Sequence, residues 1–106
     1  MGPQLTIVYL PGDTGFLAVR GEIDLCTAPR LQGCLRRAVL AAPPGAAVMV
    51  NLSAVSFIDA RGLWALAEAE AYARVRGISM VFADVPASIT RLLAIAGLSL
   101  RGAAST

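Results

Sequence analysis

The chain reads as one α/β domain, and three observations predict that class. Its 106 residues match the usual size of a domain with a single core. Hydrophobic residues make up 57% and charged residues 15%, which excludes disorder over most of the length. From residue 46 onward, apolar strand-like runs alternate with helical stripes, the pattern of parallel strands joined by right-handed crossovers.

Taken in order, Leu5 to Leu10 is a β-prone run closed by the turn signal Pro11-Gly12-Asp13-Thr14-Gly15, and Phe16 to Val19 resumes the strand. The two runs predict a hairpin. Gly21 to Cys26 reads as a loop leading to a helix, with Thr27 as its N-cap and Pro29 in the first turn. The first helix carries a core stripe at Leu31, Cys34, Leu35, Ala38, Val39 and Ala42 and stops at Pro43-Pro44-Gly45. Ala46 to Leu52 is nearly all apolar, as a central strand is. A short connector reaches Phe57 to Leu63, and Trp64 to Arg76 forms a second helix stopped by Gly77, with Arg74 and Arg76 at its negative end. Ile78 to Ala83 is the next strand. Asp84 or Val85-Pro86 opens a last helix that runs to Ala96 and ends at Gly97, and Arg101 to Thr106 is a frayed tail. With no repeat or linker, residues 1–106 are expected to form a single domain.

The residues that are missing constrain the chemistry. No histidine is present, which removes Ser-His-Asp and Cys-His catalysis and His-ligated metals. No lysine is present, which removes a phosphate-loop or Schiff-base lysine. Two cysteines cannot build a structural zinc site, and Asp24 with Asp59 as a carboxylate pair would lack a nucleophile and a proton relay. No metal, no cofactor and no enzymatic activity are therefore expected. The net charge is only +2, and the nine arginines are scattered, whereas nucleic-acid binding calls for a dense basic face.

Mean hydropathy is +0.68, and Ala38 to Ile58 is uncharged, but Pro43-Pro44 would break a spanning helix there, so no direct membrane insertion is expected. Met1 to Gln4 carries no basic leader, so a cytoplasmic protein with reduced cysteines is expected. Cys26 precedes a helix start, where a thiol pKa can fall, and Cys34 lies on the core stripe. Their eight-residue separation, roughly 12 Å along a helix, is too long for a disulfide.

Two segments carry a family resemblance. Val19-Arg20-Gly21-Glu22-Ile23-Asp24-Leu25-Cys26-Thr27-Ala28-Pro29-Arg30-Leu31 resembles the loop and helix start of STAS domains. Asn51-Leu52-Ser53-Ala54-Val55-Ser56-Phe57-Ile58-Asp59-Ala60-Arg61-Gly62-Leu63 resembles their "D-L-S-x-V-x-F-h-D-S-S-G-L" strand and helix start. The spacing between them, Ile89 to Leu93 and Ala96-Gly97-Leu98 also match, so the similarity spans nearly the whole chain. By pattern it is most similar to single-domain anti-sigma factor antagonists of bacteria.

The resemblance implies a mixed four-stranded β-sheet flanked by about four α-helices. It also implies a monomer or weak dimer that binds a serine-kinase-like anti-sigma factor and so releases a sigma factor. The partner-binding residues it implies are Asp24, Thr27, Asp59, Ala60, Arg61, Gly62, Leu63 and Trp64. In the family the second serine of D-S-S-G accepts phosphate, which adds about −2 charge and blocks partner binding. Here the two serines correspond to Ala60 and Arg61, so the phosphoacceptor is absent.

Each feature also has a plainer reading. Asp59 serves equally as a helix N-cap, Asp24 as a turn carboxylate, and Ser53, Ser56 and Thr27 as turn or cap hydroxyls. Arg61, Trp64, Glu68 and Tyr72 share one helical stripe. That stripe suits a docking face, because Trp, Tyr and Arg dominate binding hot spots, or else a surface aromatic with Arg61 stacked on it. A second functional reading is a STAS subunit of a transporter, lipid-trafficking complex or signalling scaffold. Nucleotide binding finds no lysine and no glycine-rich phosphate loop to support it.

Overall fold

A computed structural model of the chain describes residues 5–101. Its elements are β1 (Leu5–Leu10), β2 (Thr14–Ile23), α1 (Ala28–Ala41), β3 (Ala47–Ile58), α2 (Ala60–Val75), β4 (Ser79–Ala83), α3 (Ala87–Ile95) and β5 (Leu100–Arg101). The strands lie in the order β1-β2-β3-β4-β5. The β1–β2 hairpin is antiparallel and every other pairing is parallel, so the sheet is mixed. Four full strands form it, as expected, and the two-residue β5 adds a short fifth; three helices lie among the described residues.

The core follows from strand alternation. Leu17 and Val19 of β2, Val48, Val50 and Leu52 of β3, and Met80 and Phe82 of β4 point to one face and are buried. They join Leu31, Leu35, Ala38 and Val39 of α1, Leu66, Ala69 and Ala73 of α2, and Ile89 and Leu93 of α3 in one cluster. Helix α1 packs along α2, and the Arg36 guanidinium sits 4.1 Å above the Tyr72 ring between them. Arg30 also donates through Nη1 to the Leu5 carbonyl, tying α1 to the edge strand. Gly77 and Gly97 end α2 and α3 with positive φ, as their places in the sequence predict. No helix among the described residues is long and apolar enough to cross a membrane.

Several boundaries differ from the sequence reading. Strand β2 continues through Ile23 where a loop was expected, and β3 continues through Ile58 where a connector was expected. The cause is mutual: Glu22 pairs with Phe57 and Ile23 with Ile58, and that ladder outweighs the local turn preference of Gly21, Glu22 and Ser53. Helix α2 begins at Ala60, four residues before Trp64, and α3 begins at Ala87 after Pro86. Cys34 is only half-buried, with Arg37 Nη2 3.4 Å from its Sγ. Of the expected tail, Arg101 pairs with Ala83 in β5, and residues 102–106 lie outside the described residues.

Glu70 is the one acidic side chain buried among the described residues. Its Oε2 accepts the Ser99 N–H at 3.0 Å, and Oε1 lies 3.5 Å from the largely exposed Arg74 guanidinium. Ser99 in turn accepts the Phe82 N–H at 2.9 Å, so Glu70 fastens the approach to β5 onto α2. Glu70→Ala removes this charge-assisted bond to the Ser99 N–H and is expected to lower stability by about 2 kcal/mol, read as a lower urea midpoint. Amide exchange at Phe82 should accelerate in the same variant.

Candidate functional site

The C-terminal ends of β2 and β3 form the site's frame. Their register shifts twice, between Ala18 and Arg20 and between Gly21 and Glu22, each time with an extra residue on β3. Such bulges bend a strand and re-aim the residues beyond the bend. Past the last pair, Ile23 with Ile58, the Asp59 N–H donates to the Ile23 carbonyl at 3.1 Å. Asp59 then caps α2: its backbone is extended, and its Oδ1 accepts the Gly62 N–H at 2.9 Å. Gly62 is buried directly against Ile23 and Ile58.

The turn after β2 is held by its own side chains. Asp24 Oδ1 accepts the backbone N–H groups of Cys26 at 2.9 Å and Thr27 at 3.1 Å. Thr27 occupies the N-cap position of α1 but makes no side-chain cap bond, contrary to the capping role read from the sequence. Its backbone is already helical in ψ, which turns the hydroxyl away from the helix. Instead Oγ1 donates to the Glu22 carbonyl at 2.8 Å and accepts the Asp24 N–H at 2.9 Å. Replacing this buried hydroxyl, Thr27→Val, leaves two backbone groups unpaired and is expected to cost about 2 kcal/mol in chemical denaturation.

The eight candidate residues therefore divide by environment. Thr27 and Gly62 are buried, while Asp24, Asp59 and Leu63 are half-buried, the two aspartates with oxygens committed to backbone donors. Ala60, Arg61 and Trp64 are exposed on the first turn of α2, with Trp64 at 52%. Among the described residues, no acid pairs with Arg61 and no guanidinium lies over the Trp64 ring, so the Arg61–Trp64 stack, one of the two readings of this stripe, does not form. Glu68 continues the exposed stripe, but Tyr72 is half-buried beneath Arg36 and Arg76.

Two apolar side chains escaped the sequence reading. Leu25, in the turn after β2, is 62% exposed, and Phe57, at the end of β3, is 47% exposed. The bulges put Ser56 and Phe57 both outward, and only the nearby small polar residues Ser53 and Ser56 hint at this in the sequence. Cys26 is exposed in the same turn as Leu25. Among the described residues, no group of three or more His, Cys, Asp or Glu could hold a metal. A cavity of about 230 Å³, lined in part by Glu70, Arg74, Met80 and Ser99, lies at the other end of α2.

Comparison with known proteins shows which family and fold the chain matches. A family model described as "Mlab, STAS domain" matches residues 8–100. No curated protein matches the chain. Among solved structures, an anti-sigma factor antagonist from Mycobacterium paratuberculosis is 28% identical, with 92% of this chain and 85% of that one covered and a TM-score of 0.70. The Bacillus cell fate determinant SpoIIAA, in its phosphorylated form, is 13% identical over 96% of this chain and 93% of its own, with a TM-score of 0.73. A murine Solute Carrier 26 anion transporter contains a similar unit: 14% identity, 78% of this chain, 14% of the transporter, TM-score 0.66.

Proposed function

The chain belongs to the STAS-domain family, and from that premise we propose that it is an anti-sigma factor antagonist whose docking surface is the first turn of α2. STAS domains of this kind are non-catalytic regulatory modules. In the proposed action, a kinase-type anti-sigma factor seats on Asp59, Ala60, Arg61, Gly62, Leu63 and Trp64, with Asp24 and Thr27 shaping the neighbouring turn, and a sigma factor is set free.

The observation that carries this reading is an exposed Arg61, with no ion-pair partner among the described residues, beside an exposed Trp64 on a turn fixed by the Asp59 cap and the Gly62 contact. Rigid support with free Arg and Trp side chains suits a hot spot, because little of the surrounding structure must reorganise on binding. SpoIIAA is known in phosphorylated and unphosphorylated forms. Arg61 offers no hydroxyl for that modification and carries the opposite charge, so this antagonist stays binding-competent when its partner kinase is active. Incubation with the cognate anti-sigma kinase and ATP tests this. The expected product carries no phosphate, and a phosphate mapped between Asp59 and Leu63 would overturn the reading.

A second reading has its own support in the matched family description and in the similar unit of an anion transporter. In it, the same turn docks a subunit of a transport or lipid-trafficking assembly. Binding to a purified transporter subunit, with none to any anti-sigma factor of the same genome, would select it.

A further inference from the structure

The last strand pairing of the sheet stops early, and a cavity opens where it stops. Strand β5 meets β4 only at Phe82 with Leu100 and Ala83 with Arg101. The Phe82 N–H donates to the Ser99 carbonyl at 2.9 Å, so alternation along β4 turns the Met80 N–H and carbonyl to the same edge. One step back along a parallel ladder, the Ser99 N–H would pass to the Met80 carbonyl. Glu70 takes that N–H instead, through Oε2 at 3.0 Å, and the two chain segments part. The cavity of about 230 Å³ lies at this parting, with Glu70, Met80 and Ser99 on its wall. Arg74, from the last turn of α2, also lines it, so this place is separate from the docking turn at the head of that helix.

The wall is rich in acceptors and poor in close donors. Glu70 is 5% exposed, and with Oε2 given to Ser99 its Oε1 meets the Arg74 guanidinium at 3.5 Å. That is longer than the about 2.7–2.9 Å of a charge-assisted hydrogen bond. The Arg74 side chain is 69% exposed, and an i,i+4 pair with one member in solvent holds weakly. Among the described residues, no backbone group donates to the Met80 carbonyl across this edge. A buried carboxylate and a strand carbonyl both cost free energy when their partners are distant or missing. Ile78, Met80 and Val81 add an apolar lining beside these oxygens.

We infer that this cavity binds a guanidinium group on a short aliphatic stem, with Glu70 Oε1 and the Met80 carbonyl as its acceptors. A guanidinium presents a planar fork of N–H donors, which suits two acceptors on one wall. Arg74 shows which group Oε1 attracts, and the incoming group displaces it into solvent, where it stays charged and hydrated. The stem packs on Ile78, Met80 and Val81. The volume is below the ~300–1,000 Å³ of pockets for drug-sized ligands, so it fits a head group and stem rather than a cofactor. An arginine side chain of a polypeptide and a free alkylguanidine carry the same chemistry to the oxygen.

Amide chemical shifts of the isotope-labelled full chain test the site, in titrations with butylguanidinium and with N-acetyl-arginine amide. The Met80, Val81 and Ser99 amides should move together and saturate with a Kd of about 1 mM. The uncharged N-acetyl-citrulline amide should leave them in place. Arg74→Ala removes the resident competitor and should tighten binding about threefold, while Glu70→Gln keeps an oxygen for the Ser99 N–H, loses the charge and should weaken binding about tenfold. If Glu70→Gln fails to fold, Arg74→Ala and the citrulline control decide the matter. Tighter binding of N-acetyl-arginine amide supports the site as a reader of arginine in a polypeptide, and tighter binding of butylguanidinium supports it as a site for a free alkylguanidine. Amides unmoved by either probe at about 20 mM would overturn the proposal. So would equal movement with the citrulline compound, weaker binding to Arg74→Ala, or parental affinity in a folded Glu70→Gln.

Discussion

Gly62→Ala should destabilise the protein by about 3 kcal/mol, although alanine is ordinarily the better helix residue by about 1 kcal/mol. The added methyl would strike the Ile23 carbonyl and stand 2.7 Å from Ile23 Cγ2 and 2.9 Å from Ile58 Cγ1. Two of these neighbours are buried core side chains and the third is backbone that accepts the Asp59 N–H, so none can yield cheaply. Relief requires α2 to lift from the β2 end, which breaks the Asp59 cap as well. Gly33→Ala in α1 is the internal control. Its new methyl would meet only the flexible end of Arg37 at 3.6 Å, so propensity decides and stability should rise by about 0.5–1 kcal/mol. Urea titration of both variants checks the pair. Equal and small effects would mean that the close contact at Gly62 carries no energetic weight.

On the proposed function, Arg61→Glu should lower affinity for the anti-sigma partner about 100-fold, and Trp64→Ala about 30-fold, as measured by isothermal titration with that purified partner. Both side chains are exposed, and neither has an ion-pair or cation–π partner among the described residues, so thermal stability should stay within about 0.5 kcal/mol of the parent. Charge reversal at the centre of the proposed docking surface removes an attraction and adds a repulsion, whereas truncating Trp64 removes contact area alone. Arg61→Ser adds the hydroxyl that the family resemblance implies at this position. The same kinase should phosphorylate this variant and then release it, a gain of regulation that a purely structural Arg61 would not produce. Full affinity in both Arg61→Glu and Trp64→Ala would move the interface to another surface.

The helices and central strands were legible in the sequence because their signals are local. The stripe Leu31, Leu35, Ala38, Val39 and the stops Pro43-Pro44-Gly45 and Gly77 act within one or two turns of chain, and the structure follows them. The Asp59 cap was legible for the same reason. The extension of β2 through Ile23 and of β3 through Ile58 was not, because each supplies the other's hydrogen bonds across more than thirty residues of sequence. The exposure of Phe57 depends on bulges in that same ladder and went unseen with it. Glu70 falls on the core-facing side of α2, four residues beyond Leu66, and only the arrival of Ser99 gives its buried carboxylate a backbone partner.

By itself, then, the sequence determined the α/β class, the order of elements, the absence of histidine and lysine chemistry, and the guanidinium at the head of α2. These come from composition and from periodicities of two to four residues, which need no long-range information. Tertiary structure alone decided which of the eight candidate side chains are free to meet a partner. It also decided which carboxylate is buried. Burial is a property of what lies opposite in space, and strands distant in the chain become neighbours only when the sheet closes its register.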